Sequence, residues 1–416
     1  MIKRFLLVLA VFLTAPMFAQ EGNSSPYSYY GIGLRDFKGT VENQSMGGIS
    51  IMGDSIHVNL QNPAGFGALL LTNFALGGSR KDVSLKSNAG DGTNTSTTLD
   101  YIALGFPIAK NMGAGFGLIP YTSVDYKITN QDGDLYERFM GRGGLNKAFV
   151  SWGYEFIQGI RIGGTASYNF GNIRREVVQN NSNQQFGIQE INRSDISGVS
   201  FNLGLQAERP LNENLNIYGS ATYTPESSIS AENDREISTV LVSPTADIVS
   251  TTQESLEPQR TNTDFSLPSE YSLGLGLGQS NKWFAGAQYT NVQTSQFTNP
   301  SYSLQNVTYD DDSQFRVGGF YIPRFNSITS YLERIVYRAG FRYQETGLNI
   351  NGIGINEFGI SFGVGLPMGR AFSNANISFE YGQRGTQNAG LIKEDFFKVG
   401  LSLSLNDKWF VPFKFN

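Results

Sequence analysis

The chain has 416 residues and a formal net charge of −5, and only 16% of its residues are charged. It contains no cysteine, which excludes disulfides and thiolate metal sites. The mild acidity argues against a nucleic-acid partner, because nucleic-acid binding needs a basic surface. Glycine (48 residues), Phe (30) and Tyr (20) are abundant, a composition typical of transmembrane strands with aromatic girdles.

The N-terminus predicts export. Lys3 and Arg4 precede an apolar run at 5–13, and Ala19 offers a small residue before a cleavage point. Residues 1–19 are therefore predicted to be a secretory signal peptide, whose apolar part is too short to span a bilayer.

Residues 20–70 do not show the alternation of a strand. Asn62 is placed to cap a short helical turn that has Pro63 at its first position, where a missing N–H costs nothing. About fifty residues without a strand pattern would be a long loop for a compact domain. We therefore predict that 20–70 form a hatch, or plug, inside a barrel.

From residue 71 onward, apolar residues recur with a period of two. In the stretch 397–405 large apolar side chains occupy every odd position and Lys, Gly or Ser every even one. The stretch 358–366 shows the same alternation, with apolar side chains at the even positions and Gly or Ser at the odd ones. A soluble sandwich would turn the polar face to water, whereas a membrane barrel turns the apolar face to lipid and the small or polar face to its lumen.

Fourteen strands are predicted, near 71–80, 98–107, 112–129, 142–156, 159–175, 194–209, 213–225, 266–279, 282–293, 314–322, 335–345, 355–366, 375–384 and 393–405. Tight connections alternate with long ones at 176–193, 226–265 and 294–313, and we expect the Ser-, Thr- and Glu-rich loop 226–265 to be solvated and mobile. The even count and the alternation favour an outer-membrane barrel over a sandwich.

The predicted fold class is an all-β transmembrane antiparallel β-barrel of about 14 strands with an N-terminal plug inside the lumen. Residues 71–405 form the barrel and 406–416 a periplasmic C-terminal tail. Apolar residues at positions 328, 331, 332 and 335 predict a short amphipathic helix on the periplasmic side.

The N-terminal motifs resemble a known family. The hatch motif consists of Met46, Gly47, Gly48, Asp54, Asn62, Pro63, Ala64 and Gly65. It is similar to the N-terminal hatch and Asn-Pro-Ala signature of FadL-type (TodX-like) outer-membrane barrels, in the branch related to type IX secretion-associated barrels. The resemblance implies a 14-stranded barrel with a plug, and either a channel for fatty acids or aromatic hydrocarbons or a barrel attached to a secretion system.

Three arginines, Arg316, Arg338 and Arg342, are predicted to point into the lumen, because Arg at the lipid midplane costs about 2–4 kcal/mol. One hypothesis is that they bind the carboxylate head group of a ligand. The favoured alternative is that they pair with acids of the plug or lumen such as Asp54, Glu357 or Glu380.

Two further groups have weak functional interpretations. His57 lies two residues after Ser55, but neighbours on an extended segment make a poor catalytic pair, so we predict no enzyme, no catalytic residue and no cofactor. The run at 310–312 consists of three Asp residues but lacks the spacing of a calcium loop, and a solvated outer loop is the favoured interpretation.

The leading functional hypothesis is passive uptake of hydrophobic small molecules, fatty-acid-like or aromatic, across the bacterial outer membrane. The alternative is a non-transport accessory barrel in an outer-membrane secretion or insertion complex, and a purely structural barrel is the third. The partners expected are membrane lipids and lipopolysaccharide, with a hydrophobic ligand under the first hypothesis and other outer-membrane proteins under the second.

Overall fold

A computed structural model of the protein describes residues 25–35, 37, 39–242, 248–255, 259–296, 306–368 and 373–409. Its strands, in chain order, are β1 (Leu34–Arg35), β2 (Thr72–Ser87), β3 (Gly90–Ala109), β4 (Met112–Asp132), β5 (Leu135–Ile157), β6 (Ile160–Asn181), β7 (Phe186–Pro210), β8 (Asn216–Thr224), β9 (Ser227–Val242), β10 (Ile248–Ser255), β11 (Gln259–Leu267), β12 (Glu270–Gln279), β13 (Trp283–Val292), β14 (Val307–Tyr309), β15 (Asp312–Tyr321), β16 (Val336–Ile350), β17 (Ile353–Met368), β18 (Ser373–Gly385) and β19 (Lys393–Asp407). The helical elements are one α-helical turn, α1 (Val41–Gln44), and 3-10 turns at Pro26–Tyr29, Pro63–Ala68, Thr294–Gln296, Leu332–Arg334 and Asn388–Gly390.

Fourteen strands close into an antiparallel barrel, and each lies at a predicted position. They are β2 to β8, β12, β13 and β15 to β19. β19 pairs with β2 over its whole length, which joins the last strand to the first and leaves no edge there. The prediction of a closed barrel of 14 strands is confirmed.

The barrel turns its apolar face outward. In β19, Leu401 is 58% exposed and Ser402 is 5% exposed, and in β17 Phe362 is 57% exposed and Ser361 is 2% exposed. A soluble protein would bury the large apolar set, so this alternation identifies the outer surface as the lipid-facing one. The described helices include none that is long and apolar enough to cross a membrane.

The barrel wall has very unequal heights. β5, β6 and β7 are 23, 22 and 25 residues long, whereas β12, β13 and β15 have 10 residues each. β7 pairs with β8 near one end and with β9 near the other, and β11 pairs with β9. The connections 110–111, 158–159, 211–215 and 280–282 all lie at one end of the barrel, which we call the short-turn end. The tall strands and the extra hairpin project at the other end, which is the outer side of such barrels.

The expectation of a long loop at 226–265 was wrong for its described part. Most of it forms β9 and β11, which are paired with each other, and most of the predicted loop 176–193 lies in β6 and β7. Alternating Ser, Thr and charged residues can pair as well as apolar ones when the neighbouring strand supplies a ladder.

Three other predictions concern the helix at 328–335, the end of the last strand and the two termini of the chain. The predicted helix at 328–335 was wrong, since only the 3-10 turn Leu332–Arg334 forms there. β19 runs to Asp407, two residues beyond the predicted end of the barrel. The predicted signal peptide 1–19 and the tail beyond residue 409 lie outside the described residues.

Candidate functional site

The Asn-Pro-Ala-Gly stretch shapes the end of the N-terminal segment. The side chain of Asn62 accepts a hydrogen bond from Ala64 N at 3.1 Å, which caps the turn Pro63–Ala68. The same side chain donates to Leu205 O on β7 at 3.1 Å. One amide thus caps the turn and fixes it to the barrel wall, a role that the motif alone could not reveal.

An apolar cluster packs this turn against β3 and β5. Val58, Phe66 and Leu69 of the segment contact Ala103 on β3 and Phe149 on β5, and all five are buried. This cluster gives the N-terminal segment a hydrophobic attachment of its own.

The Met-Gly-Gly stretch approaches β15 and β16 closely. A Cβ added at Gly340 on β16 would lie 2.1 Å from both Met46 C and Gly47 N, so only glycine fits there. Gly47 and Gly48 have φ of +68° and +87°, and Gly47 N donates to Ser361 Oγ on β17 at 2.9 Å. Glycine is thus required on both sides of this contact.

A buried charge network lies beside that contact. Arg342 pairs with Glu357 and, at 2.7 Å, with Glu380, and Arg384 joins Glu357 to Glu394. Gln44 of α1 donates to Glu380 at 2.9 Å, and Ser25 donates to Glu394. The network, which comprises Arg342, Arg384, Glu357, Glu380 and Glu394, therefore ties the N-terminal segment to β16–β19.

The other two predicted arginines have different environments. Arg338 donates to Asn376 on β18 at 3.0 Å. Arg316 donates to Gly48 O, Gln61 and Gln314, and none of the ion pairs within the described residues includes it. Of the three, only Arg342 pairs with the acids named in advance, and the guanidinium of Arg316 has no carboxylate partner among the residues that the structure describes.

Asp54 lies against His57 rather than an arginine. Asp54 Oδ2 and His57 Nδ1 are 2.5 Å apart, and His57 Nε2 is 3.2 Å from Asn374 Nδ2. Burial opposes both charges, but their mutual attraction outweighs it, raising the pKa of His57 and lowering that of Asp54. With both ring nitrogens engaged, the geometry offers no support for His57 as a base for Ser55.

The three aspartates at 310–312 point to different partners. Asp310 accepts from Asn349, Asp311 from Ser295, and Asp312 is buried and accepts from Gln314 and Gln344. Within the described part of the chain, no group of three acidic or histidine side chains could hold a metal ion.

A cavity of about 310 Å³ lies between the N-terminal segment and the barrel wall. Its lining includes the apolar residues Ile32, Leu34, Leu60, Ile119 and Phe149. It also includes the charged residues Glu270, Asp312, Arg316, Arg342 and Glu357. Such a mixed lining is suited to a molecule that has both apolar and polar groups.

The barrel wall is split beside apolar residues that line this cavity. β3 and β4 pair from Ala109 and Met112 only as far as Ile102 and Leu118. Beyond that point β3 continues against β2, and β4 against β5. The next residue of β4, Ile119, lines the cavity, so the split and the cavity adjoin.

The N-terminal segment covers part of the edge of β4 that the split leaves unpaired. β1 pairs with it through Leu34 opposite Ser123, and the Ser28 hydroxyl exchanges hydrogen bonds with the backbone of Asp125 at 3.1 Å. Sequence reasoning missed this contact, since a two-residue strand leaves no periodic pattern.

A closed 14-strand barrel with an apolar outer face, whose N-terminal segment contacts its lumen-facing side chains, defines the chain as a transmembrane β-barrel. A family model described as BamG matches residues 1–416, and the chain belongs to the BamG family. No curated protein matches the sequence.

Several solved structures share the fold. The monoaromatic hydrocarbon channel CymD is 15% identical, with a TM-score of 0.61 over 90% of this chain and 99% of that one. A FadL homologue of Pseudomonas aeruginosa (14%, 0.59; 89% and 98%) and the toluene transporter TodX of Pseudomonas putida (14%, 0.57; 89% and 98%) are also similar. The predicted resemblance to FadL-type barrels is confirmed, and the fold points to a bacterial outer membrane.

Proposed function

We propose that this barrel admits hydrophobic or amphiphilic small molecules across the outer membrane and that residues 25–70 act as its plug. The observation that carries the proposal is the split between β3 and β4 beside the apolar lining of the cavity. An apolar solute reaching the cavity through a wall opening would avoid bulk water along the route. Similarly folded proteins include a monoaromatic hydrocarbon channel and a toluene transporter, which supports the same class of cargo.

Arg316 is the proposed partner of a ligand head group. It lines the cavity, and its described hydrogen bonds go to neutral oxygens. A carboxylate would give its guanidinium a charge-assisted, bidentate partner. Arg342 is less suited, because Glu357 and Glu380 already engage it.

A disulfide that can be formed and reduced across the β1–β4 pair tests whether solutes enter between β3 and β4. Leu34 and Ser123 are directly opposed in the β1–β4 pair, so their Cα atoms have a spacing that a disulfide can bridge. The chain has no other cysteine. Oxidised Leu34→Cys/Ser123→Cys protein in liposomes should take up neither a labelled long-chain fatty acid nor toluene, and a reductant should restore uptake of both.

The matched control is Leu277→Cys/Ala285→Cys, an equally opposed pair within the intact β12–β13 ladder. It should transport in both redox states. Uptake that is indifferent to the Leu34–Ser123 lock would reject the β3–β4 route, and absence of uptake by the unmodified protein would reject transport. Arg316→Gln should weaken fatty-acid uptake alone, while Arg338→Gln, which does not line the cavity, should not.

A second candidate is an accessory role in outer-membrane protein assembly. It is favoured by the buried charge network that fixes the N-terminal segment, since a firmly held plug suits a scaffold. The family name also hints at outer-membrane assembly. Mass spectrometry of protein purified in mild detergent distinguishes the two, because co-bound lipid favours transport and stoichiometric barrel partners favour assembly.

A further inference from the structure

The connection between β15 and β16 is unlike the others at the short-turn end of the barrel. It spans 322–335, whereas the other connections at that end have two to five residues. It carries four apolar or aromatic side chains that face away from the protein, and Ile328 is completely exposed. They are Phe325, Ile328, Tyr331 and Leu332.

This connection is folded by its own hydrogen bonds. Arg324 N donates to Glu333 O at 2.8 Å, and the Arg324 guanidinium lies 3.7 Å from the carboxylate of Glu333. Ser330 N donates to the hydroxyl of Ser327, which is buried. The apolar side chains are therefore presented outward by a structured turn, although burying them would be favourable.

Two tyrosines attach the connection to the lipid-facing rim. The Tyr337 hydroxyl donates to Leu332 O at 3.3 Å, and the Tyr331 hydroxyl donates to Pro367 O at 3.1 Å. Tyr337 and its directly opposed neighbour Tyr321 both face outward at the ends of β16 and β15. They occupy the position of an aromatic belt, so the exposed apolar side chains continue the surface that contacts lipid.

We propose that residues 322–335 insert into the phospholipid leaflet at the short-turn end of the barrel. Ile328 and Leu332 enter the acyl-chain region, and Arg324 lies at the level of the phosphates. Apolar side chains beside an exposed arginine are typical of an interfacial anchor, and the Arg324 side chain is 70% exposed. Anionic phospholipid strengthens the contact through Arg324.

The absence of cysteine makes site-directed spin labelling a direct test. Ile328→Cys and, as a control, Glu213→Cys are labelled with a nitroxide and reconstituted in phosphatidylethanolamine–phosphatidylglycerol liposomes. Glu213 is exposed in the connection between β7 and β8 at the same end of the barrel. Because both positions are exposed, neither substitution disturbs the core.

Lipid insertion predicts that the label at 328 is relaxed by oxygen and is several-fold less accessible to a nickel chelate than the label at 213. Equal access of the chelate to both labels would overturn the proposal and leave the patch as a surface for a protein partner. A label at 328 shielded from both reagents would also overturn it, by indicating cover by a second copy of the chain. None of these outcomes depends on what the barrel transports.

Discussion

Two walls of the barrel meet the N-terminal segment in opposite ways. Along β15–β18 the ladder is continuous, and the segment is held by close backbone packing at Gly340 and by the charge network around Arg342. Along β3 and β4 the ladder is interrupted. The apolar cluster attaches the segment to Ala103 and Phe149, while β1 and the Ser28 hydroxyl cover the unpaired edge of β4. Backbone packing and buried ion pairs hold the N-terminal segment to β15–β18, whereas the edge of β4 holds it through a short strand pair and side-chain hydrogen bonds. We therefore expect opening to begin at β4.

The largest effect is expected at the anchoring wall. Arg342→Met would leave Glu357 and Glu380 without their shared cation, and breaking a buried ion pair costs about 3–5 kcal/mol. Denaturant unfolding in micelles would measure the loss. Arg80→Met, which breaks an exposed pair with Asp82, is the control and should change nothing measurable. Equal losses in the two variants would remove the distinction between the walls.

A methyl group at Gly340 should act next most strongly. Gly340→Ala would press against Met46 and Gly47, and overpacking of this kind costs about 1–3 kcal/mol. We expect faster protease cleavage within 25–70 while the barrel itself stays intact. Gly92→Ala, where the nearest atom would be 3.8 Å away, should cleave like the unmodified protein. Unchanged cleavage of Gly340→Ala would show that the contact does not hold the segment.

At the edge of β4, loss of one side chain should loosen only the nearby part of the N-terminal segment. Ser28→Ala removes both hydrogen bonds between its hydroxyl and the backbone of Asp125, each worth about 1 kcal/mol, and should speed amide exchange of 25–35 but not of 46–48. Ser361→Ala removes the acceptor of Gly47 N and should give the reverse pattern. If both variants loosened the whole segment, the two attachments would open as one unit.

The smallest effect concerns pH. Because the pKa of His57 is raised, its contribution is complete below the usual histidine value and is lost as pH rises through the raised one. Because the pKa of Asp54 is lowered, its contribution is lost as pH falls through that lower value. Protease resistance of 25–70 should therefore be highest between the lowered pKa of Asp54 and the raised pKa of His57, and His57→Gln should remove the decline on the alkaline side. A decline that persists in His57→Gln would assign it to another group.

The lipid-facing side of the last strand and the Asn62 cap were predicted correctly, whereas the partner of Asp54 was not. The alternation around Leu401 and Ser402 gave the correct face, because lipid and lumen impose opposite polarity on neighbouring positions. Asn62 was correctly expected to cap a turn, since an N-cap depends on a few adjacent residues. The partner of Asp54 was expected to be an arginine, but it is the nearby His57, because side-chain pairing inside a lumen depends on depth as well as strand position.

The sequence by itself determined the number of strands, the face that each turns to lipid and the capped turn in the N-terminal segment, because each follows from local periodicity or adjacent residues. Only the tertiary structure decided where β3 leaves β4, which acids meet Arg342 and why Arg316 meets none. Those features depend on the register between strands and on contacts between residues hundreds of positions apart, and a pattern along one strand does not encode them.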